Sequence, residues 1–95
     1  MFNISLQNKN EVLLSGRFDA AQSDKVKGIM DEISGDCVVN LRDLEYISSA
    51  GLGSLLNLYM RLKNSGHSVK LINMNKHVRE VFKYSKLDDV FTILE

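Results

Sequence analysis

The residues best equipped for chemistry are the serines of Ser48-Ser49-Ala50-Gly51-Leu52-Gly53, the histidines His67 and His77, and the single cysteine, Cys37. A serine nucleophile needs a base within reach and a carboxylate to orient that base. Ser49 with His67 or His77 and Asp19 or Asp43 supplies the residue types. The sequence around Ser49 is not G-x-S-x-G, however, so no nucleophile elbow is signalled. A metal site needs several convergent ligands. Neither histidine has a partner at ligand spacing, and there is no second cysteine. Ala50-Gly51-Leu52-Gly53-Ser54 lacks the Lys-Ser/Thr ending of a phosphate-binding P-loop and the G-x-G-x-x-G spacing of a dinucleotide loop. The expectation is a protein that is not an enzyme and holds no metal or cofactor.

The serine pair itself has two readings. In the first, Ser48 or Ser49 is only the N-cap of a helix, stabilising it by about 1 kcal/mol. Gly51 and Gly53 then permit close packing of the first turn. In the second, the cap is also a modification site. A helix start offers unpaired backbone N–H groups and the positive end of a dipole. A phosphate on Ser49 is tolerated there without unfolding the domain. It brings about −1.5 to −2 charges and a bulky group to the surface, enough to abolish a protein interface while the fold survives.

The elements that must hold this loop follow from periodicity. Phe2, Ile4 and Leu6 alternate with polar residues as in a half-buried strand. Asn8-Lys9-Asn10 is expected to turn the chain into a second strand, with Val12, Leu14, Gly16 and Phe18 on one face, closing a hairpin. A helix is expected over Ala20–Ser34, with Val26, Ile29, Met30 and Ile33 inward, Asp19 or Ser23 as cap and Gly35 as terminator. A strand over Asp36–Arg42 is then joined by a connection, Asp43–Ser48, to a strong amphipathic helix from Ser49 to about Asn64. The apolar face of that helix is Leu52, Leu55, Leu56, Tyr59 and Leu62, and Ser65-Gly66-His67 stops it. A strand at Ser68–Asn73, a helix from Lys76 to about Lys86 and a last strand at Val90–Leu94 complete the order β-β-α-β-α-β-α-β.

Strands alternating with helices imply crossovers and a mostly parallel sheet. The middle strands are not continuously apolar: Val39 and Leu41 alternate with Asn40 and Arg42, and Val69 and Leu71 with Ser68 and Lys70. Sheets covered on both faces usually carry unbroken apolar runs. The expected architecture is therefore α/β: a mixed sheet of about five strands, an N-terminal hairpin, and three helices mainly on one face.

Composition agrees with one small globular domain spanning residues 1–95. The chain has 95 residues, 44% hydrophobic and 25% charged, with 12 basic and 12 acidic side chains balancing to zero. No general attraction to nucleic acid or an anionic membrane is implied. Lys76, Arg79, Lys83 and Lys86 cluster near one helix, but Glu80, Asp88 and Asp89 dilute them into a solvated face. Cys37 cannot form an internal disulfide and precedes Val38-Val39, so it is expected in the core. The N-terminus has no signal-peptide pattern and no apolar run approaches a membrane span, so a cytoplasmic protein without membrane insertion is expected.

The run Asn40-Leu41-Arg42-Asp43-Leu44-Glu45-Tyr46-Ile47-Ser48-Ser49-Ala50-Gly51-Leu52-Gly53 resembles the central motif of the STAS domain, the family of bacterial anti-sigma factor antagonists. Gly16-Arg17-Phe18-Asp19 is similar to that family's G-x-[LF]-D at the end of the second strand. Lys76–Phe82 followed by Leu87-Asp88 resembles its third helix and the loop after it. The likeness spans essentially the whole chain. It implies a mixed sheet with helices on one side and a partner switch. The unmodified domain binds a serine kinase that doubles as an anti-sigma factor, phosphorylation of one serine at the start of the second helix releases it, and a serine phosphatase restores the active form. The family pattern Asp-Ser-[Ser/Thr]-Gly-Leu falls on Ser48-Ser49-Ala50-Gly51-Leu52. The resemblance thus implies Ser49 as phosphoacceptor, with Ser48 standing in place of the family aspartate and as an alternative acceptor. It also places Asp19 near the partner surface, beside Ser48, Ser49, Ala50, Gly51 and Leu52. Family members also serve as subunits of stressosomes and lipid-transport complexes, and in such a role Ser49 is a cap alone.

Overall fold

The computed structural model describes residues 2–8 and 10–94. Its elements are β1 (Asn3–Asn8), β2 (Glu11–Phe18), a 3-10 turn (Ala20–Gln22), α1 (Ser23–Met30), β3 (Cys37–Ile47), α2 (Ser49–Asn64), β4 (Val69–Ile72), α3 (Lys76–Tyr84), a second 3-10 turn (Leu87–Asp89) and β5 (Thr92–Leu94). The strands form one sheet in chain order, β1-β2-β3-β4-β5. β1 and β2 are antiparallel, and every later neighbour pair is parallel. The expected turn at Asn8-Lys9-Asn10 includes Lys9, which lies outside the described residues.

The register explains where the core sits. Leu6, Val12, Val39, Leu71 and Ile93 are successive cross-strand neighbours on one pleat. Of these, Val12, Val39 and Leu71 are fully buried beneath the helices. α1 packs on β1, α2 on β3 and β4, and α3 on β3. On the opposite face Arg17 and Lys70 are exposed, while Leu13 and Val38 are half-buried. Among the described residues one polar side chain, Asn40, is buried on that face. Its Oδ1 accepts from the Arg42 N–H at 3.0 Å and from Asn73 Nδ2 at 3.2 Å, which offsets the desolvation of an amide. The helices therefore cover one side of the sheet, as the interrupted apolar pattern of the middle strands implied.

Three differences from the sequence reading bear on which residues reach the core. β3 does not stop at Arg42. It continues to Ile47, so most of the expected connection is strand. The reason is a pair of bulges: Leu13 faces Asn40 but Ser15 faces Asp43, and Gly16 faces Leu44 but Arg17 faces Tyr46. Each step inserts one extra residue into β3. The buried positions consequently run Cys37, Val39, Leu41, Leu44, Ile47, which obeys no fixed period. α1 ends at Met30, five residues before Gly35. Asp31 and Glu32 would place negative charge at the negative end of its dipole, which opposes extension. Ile33 is nevertheless buried, held by its N–H donating to the Met30 carbonyl at 3.1 Å. In α2, finally, Leu58 takes the core position expected of Leu56, which is half-buried.

Cys37 is in the core, 1% exposed. Burial pushes its thiol up to about 11, against a weaker opposing pull from Arg61. A raised pKa favours the native state only while the unfolded thiol is also protonated, so this contribution is present below about 9.0 and is lost as pH rises toward about 11. Alkylation of native protein near neutral pH is expected to proceed only through unfolding, and to become immediate in denaturant. Prompt labelling of the native thiol by iodoacetamide would contradict this burial.

Candidate functional site

The site is built where β2 and β3 end side by side. Phe18 and Ile47 are the last paired residues of the two strands. Immediately beyond them the Ser48 N–H donates to the Phe18 carbonyl at 2.9 Å. The loops that begin at Asp19 and Ser48 thus leave the same rim of the sheet.

Both loops are fixed by caps. Asp19 is extended, and its Oδ1 accepts from the Ala21 N–H at 3.0 Å, while Gln22 Oε1 accepts from the Asp19 N–H at 2.7 Å. This reciprocal arrangement is a capping box. Asp19, not Ser23, is therefore the residue that initiates the helical segment. Ser48 is also extended, and its Oγ accepts from the Gly51 N–H at 3.2 Å. Its carbonyl accepts from the Leu52 N–H at 2.9 Å, the first bond of α2. Ser48 is the cap, and Ser49 is the first helical residue.

That division separates the two hydroxyls chemically. Ser48 is half-buried and its oxygen is occupied as an acceptor. Ser49 is exposed, as is Ala50. Among the described residues, neither histidine nor any carboxylate lies within hydrogen-bond distance of the Ser49 hydroxyl. His67 Nδ1 is instead 3.5 Å from Asp36 Oδ1, at the other end of β3. Asp43 Oδ1 is 3.6 Å from Arg42 Nε, and His77 is exposed in the first turn of α3. The catalytic grouping that the residue types allow is not assembled. The first turn of α2 carries no acidic side chain, so the positive end of its dipole is not neutralised locally.

Beneath this surface lie Gly51 and Leu52, both buried. A Cβ on Gly51 would come within 2.8 Å of Ile47 Cγ1, 3.0 Å of the Phe18 carbonyl oxygen and 3.1 Å of Phe18 Cγ. Gly51 is what allows α2 to start directly on top of the β2–β3 rim. Gly53 has no such role: a Cβ there would meet nothing within 4 Å. The sequence reading assigned both glycines to close packing, and only Gly51 serves it. Asp19, Ser48, Ser49 and Ala50 are thus brought together at the surface, with Gly51 and Leu52 supporting them from below. Ala50 and Gly53 also border a groove of about 460 Å³ between α1 and α2, floored by Val26, Met30 and Leu58.

One residue of the site was missed in the sequence. Asn75 caps α3, its Oδ1 accepting from the Val78 N–H at 2.8 Å, while its Nδ2 donates to the Leu44 carbonyl at 2.8 Å. Leu44 stands between the two bulges of β3, four residues before Ser48. Asn75 therefore ties the bulged strand that carries the serines to α3. An asparagine directly before a helical run is itself a capping signal.

Comparison with known proteins places the fold in a family. The family model described as "Mlab, STAS domain" matches residues 4–95. The anti-sigma F factor antagonist of Paenibacillus polymyxa is 30% identical over 89 residues, covering 88% of this chain and 76% of that protein. The anti-sigma-B factor antagonist of Bacillus subtilis (strain 168) is 26% identical over 92 residues, covering 92% and 84%. Among solved structures, the anti-sigma factor antagonist SpoIIAA in its unphosphorylated form superposes with a TM-score of 0.71 at 16% identity, covering 100% of this chain and 88% of its own. The Bacillus cell-fate determinant SpoIIAA in its phosphorylated form gives 0.70 at 18% identity, covering 100% and 92%. At these identities the structures establish a shared fold.

Proposed function

The chain belongs to the STAS domain family, and on that premise we propose that it is an anti-sigma factor antagonist that works as a phosphorylation-controlled partner switch. In the unmodified state, Asp19, Ser48, Ser49 and Ala50 form the surface that binds an anti-sigma factor serine kinase, with Gly51 and Leu52 setting its shape from beneath. Phosphorylation of Ser49 dissolves that complex, and a serine phosphatase reverses it. The setting is the cytoplasm. Among the described residues no helix is long and apolar enough to cross a membrane.

The observation that carries this reading is the contrast between the two serines. The Ser49 hydroxyl is exposed and unengaged among the described residues, whereas the Ser48 oxygen is held by the Gly51 N–H. Phosphate on Ser49 meets the positive end of α2, whose first turn carries no acidic side chain, and leaves the cap intact. Ser48 is half-buried with its oxygen already accepting from the Gly51 N–H, so it is the less accessible of the two acceptors. The physical effect on the partner is direct: two added charges and a tetrahedral group occupy the surface that the kinase must cover.

Incubation with the cognate kinase and ATP is expected to add one phosphate, seen by mass spectrometry. Ser49→Ala is expected to abolish it and Ser48→Ala to retain it. Stoichiometric phosphorylation of Ser49→Ala would remove Ser49 from the role. A second reading is favoured by one feature, the serine at position 48 where the family pattern has aspartate. In it the chain is a constitutive subunit of a lipid-transport or stressosome assembly and Ser49 merely begins α2. Co-purification from the native cell distinguishes them: a kinase that is lost on phosphorylation supports the switch, and a partner retained regardless supports the subunit.

A further inference from the structure

We propose that the free edge of β1 is a self-association surface, through which two copies of this chain join antiparallel into one ten-stranded sheet. Among the described residues β1 is an outer strand of the sheet, bonded on one side only, to β2. Outer strands carry a row of unpaired N–H and C=O groups, and monomeric proteins usually blunt them with charges, prolines, β-bulges or very short strands. Of these β1 has only an irregularity at its hairpin end. Asn3-Ile4-Ser5-Leu6-Gln7-Asn8 is six residues without a charge or a proline. Its register shift falls between Leu6 and Asn8, at the hairpin end, and Asn3–Leu6 runs in unbroken register. The other outer strand, β5, is three residues long, which makes it a poor template.

The side chains fit a second copy of the same edge. Ile4 and Leu6 share the pleat that faces the helices. Ile4 is 5% exposed, but Leu6 is left 40% exposed, at the end of a buried row that continues through Val12, Val39 and Leu71. An antiparallel edge is self-complementary under a two-fold axis. Across that axis Leu6 of one copy lies on the same pleat as Ile4 and Leu6 of the other, so the apolar row continues into the neighbour. The formal net charge of zero imposes no repulsion between copies.

The axis that joins two antiparallel outer strands in one sheet is perpendicular to the sheet. Both sets of helices therefore stay on one face, and the two Ser49 loops point to opposite rims. Each copy keeps its serine surface clear of the joint, and one dimer presents two of them.

Sedimentation velocity over a wide concentration range tests the proposal on the full chain. Wild type is expected to shift from monomer to dimer as concentration rises. Leu6→Lys, which adds a charge to an exposed position, is expected to stay monomeric with an unchanged circular dichroism spectrum. A wild-type chain that remains monomeric throughout would overturn the proposal. So would a dimer that Leu6→Lys leaves intact, because that would place the joint on another surface.

Discussion

Gly51→Ala is expected to lower folding stability by about 1–3 kcal/mol, whereas Gly53→Ala, two residues further along the same helix, is expected to leave it unchanged or raise it by about 0.5–1 kcal/mol. Both glycines lie in α2, where alanine is the better helix former, so propensity alone predicts a gain at each. Packing reverses the sign at Gly51. The new methyl would meet Ile47 Cγ1 at 2.8 Å and the Phe18 carbonyl oxygen at 3.0 Å. Ile47 and Phe18 are both essentially fully buried, so neither side chain has a free direction in which to yield. The Phe18 carbonyl is also backbone, already bonded to the Ser48 N–H. The helix must therefore lift from the rim or the rim must spread. Denaturant unfolding of the two variants, compared at unchanged m-value, measures the difference. Equal midpoints for the two would show that α2 does not sit on the rim as described. Because the lift would displace Ser48 and Ser49 together, Gly51→Ala is also expected to weaken partner capture more than its stability loss explains.

Asn75→Ala is expected to cost about 2–3 kcal/mol, the sum of a lost helix cap and a carbonyl deprived of its donor. The amide does two jobs at once. Its oxygen receives the Val78 N–H, and its nitrogen serves the Leu44 carbonyl, each at 2.8 Å. A bulged strand needs such an outside donor, because the extra residue breaks the regular ladder. Asn75→Ser separates the terms. Serine can still cap α3 but cannot span to Leu44, so its loss is expected to be roughly half that of alanine. Thermal or denaturant unfolding of the pair reads this directly. An Asn75→Ser variant as stable as wild type would show that the Leu44 bond contributes nothing.

The parts of the molecule legible in the sequence are those governed by one local rule. α2 was placed from Ser49 to Asn64 because a serine cap, a regular apolar stripe and a Ser-Gly stop agree with one another, and the structure has it at Ser49–Asn64. The wet sheet face followed from Asn40, Arg42, Ser68 and Lys70. What escaped the reading depends on two elements meeting. The bulges of β3 are a property of its pairing with β2, and they scramble the alternation that identifies a strand. The different fates of Gly51 and Gly53 are set by Ile47 and by Phe18, the latter thirty-odd positions away in the chain. Leu58 displaces Leu56 from the core because β4 and α1 approach α2 from directions that no single-helix pattern encodes. At the site, the choice between Ser48 and Ser49 as cap was open on residue type alone. Backbone geometry decided it, since only Ser48 is extended with its oxygen on the Gly51 N–H. The roles of these residues toward a partner came from resemblance, not from any local rule.

The two bulges also uncouple chain length from sheet length. Between the pairs Leu13–Asn40 and Phe18–Ile47, β2 advances five residues while β3 advances seven. Two residues of β3 are thus slack with respect to the ladder. In a regular strand, losing or gaining one residue turns every later side chain to the opposite face. Here such a change between Arg42 and Tyr46 can be absorbed by removing or deepening a bulge, and Ile47 and Ser48 keep their places against Phe18. The strand that delivers the serines can therefore drift in length over evolutionary time without moving the loop it delivers.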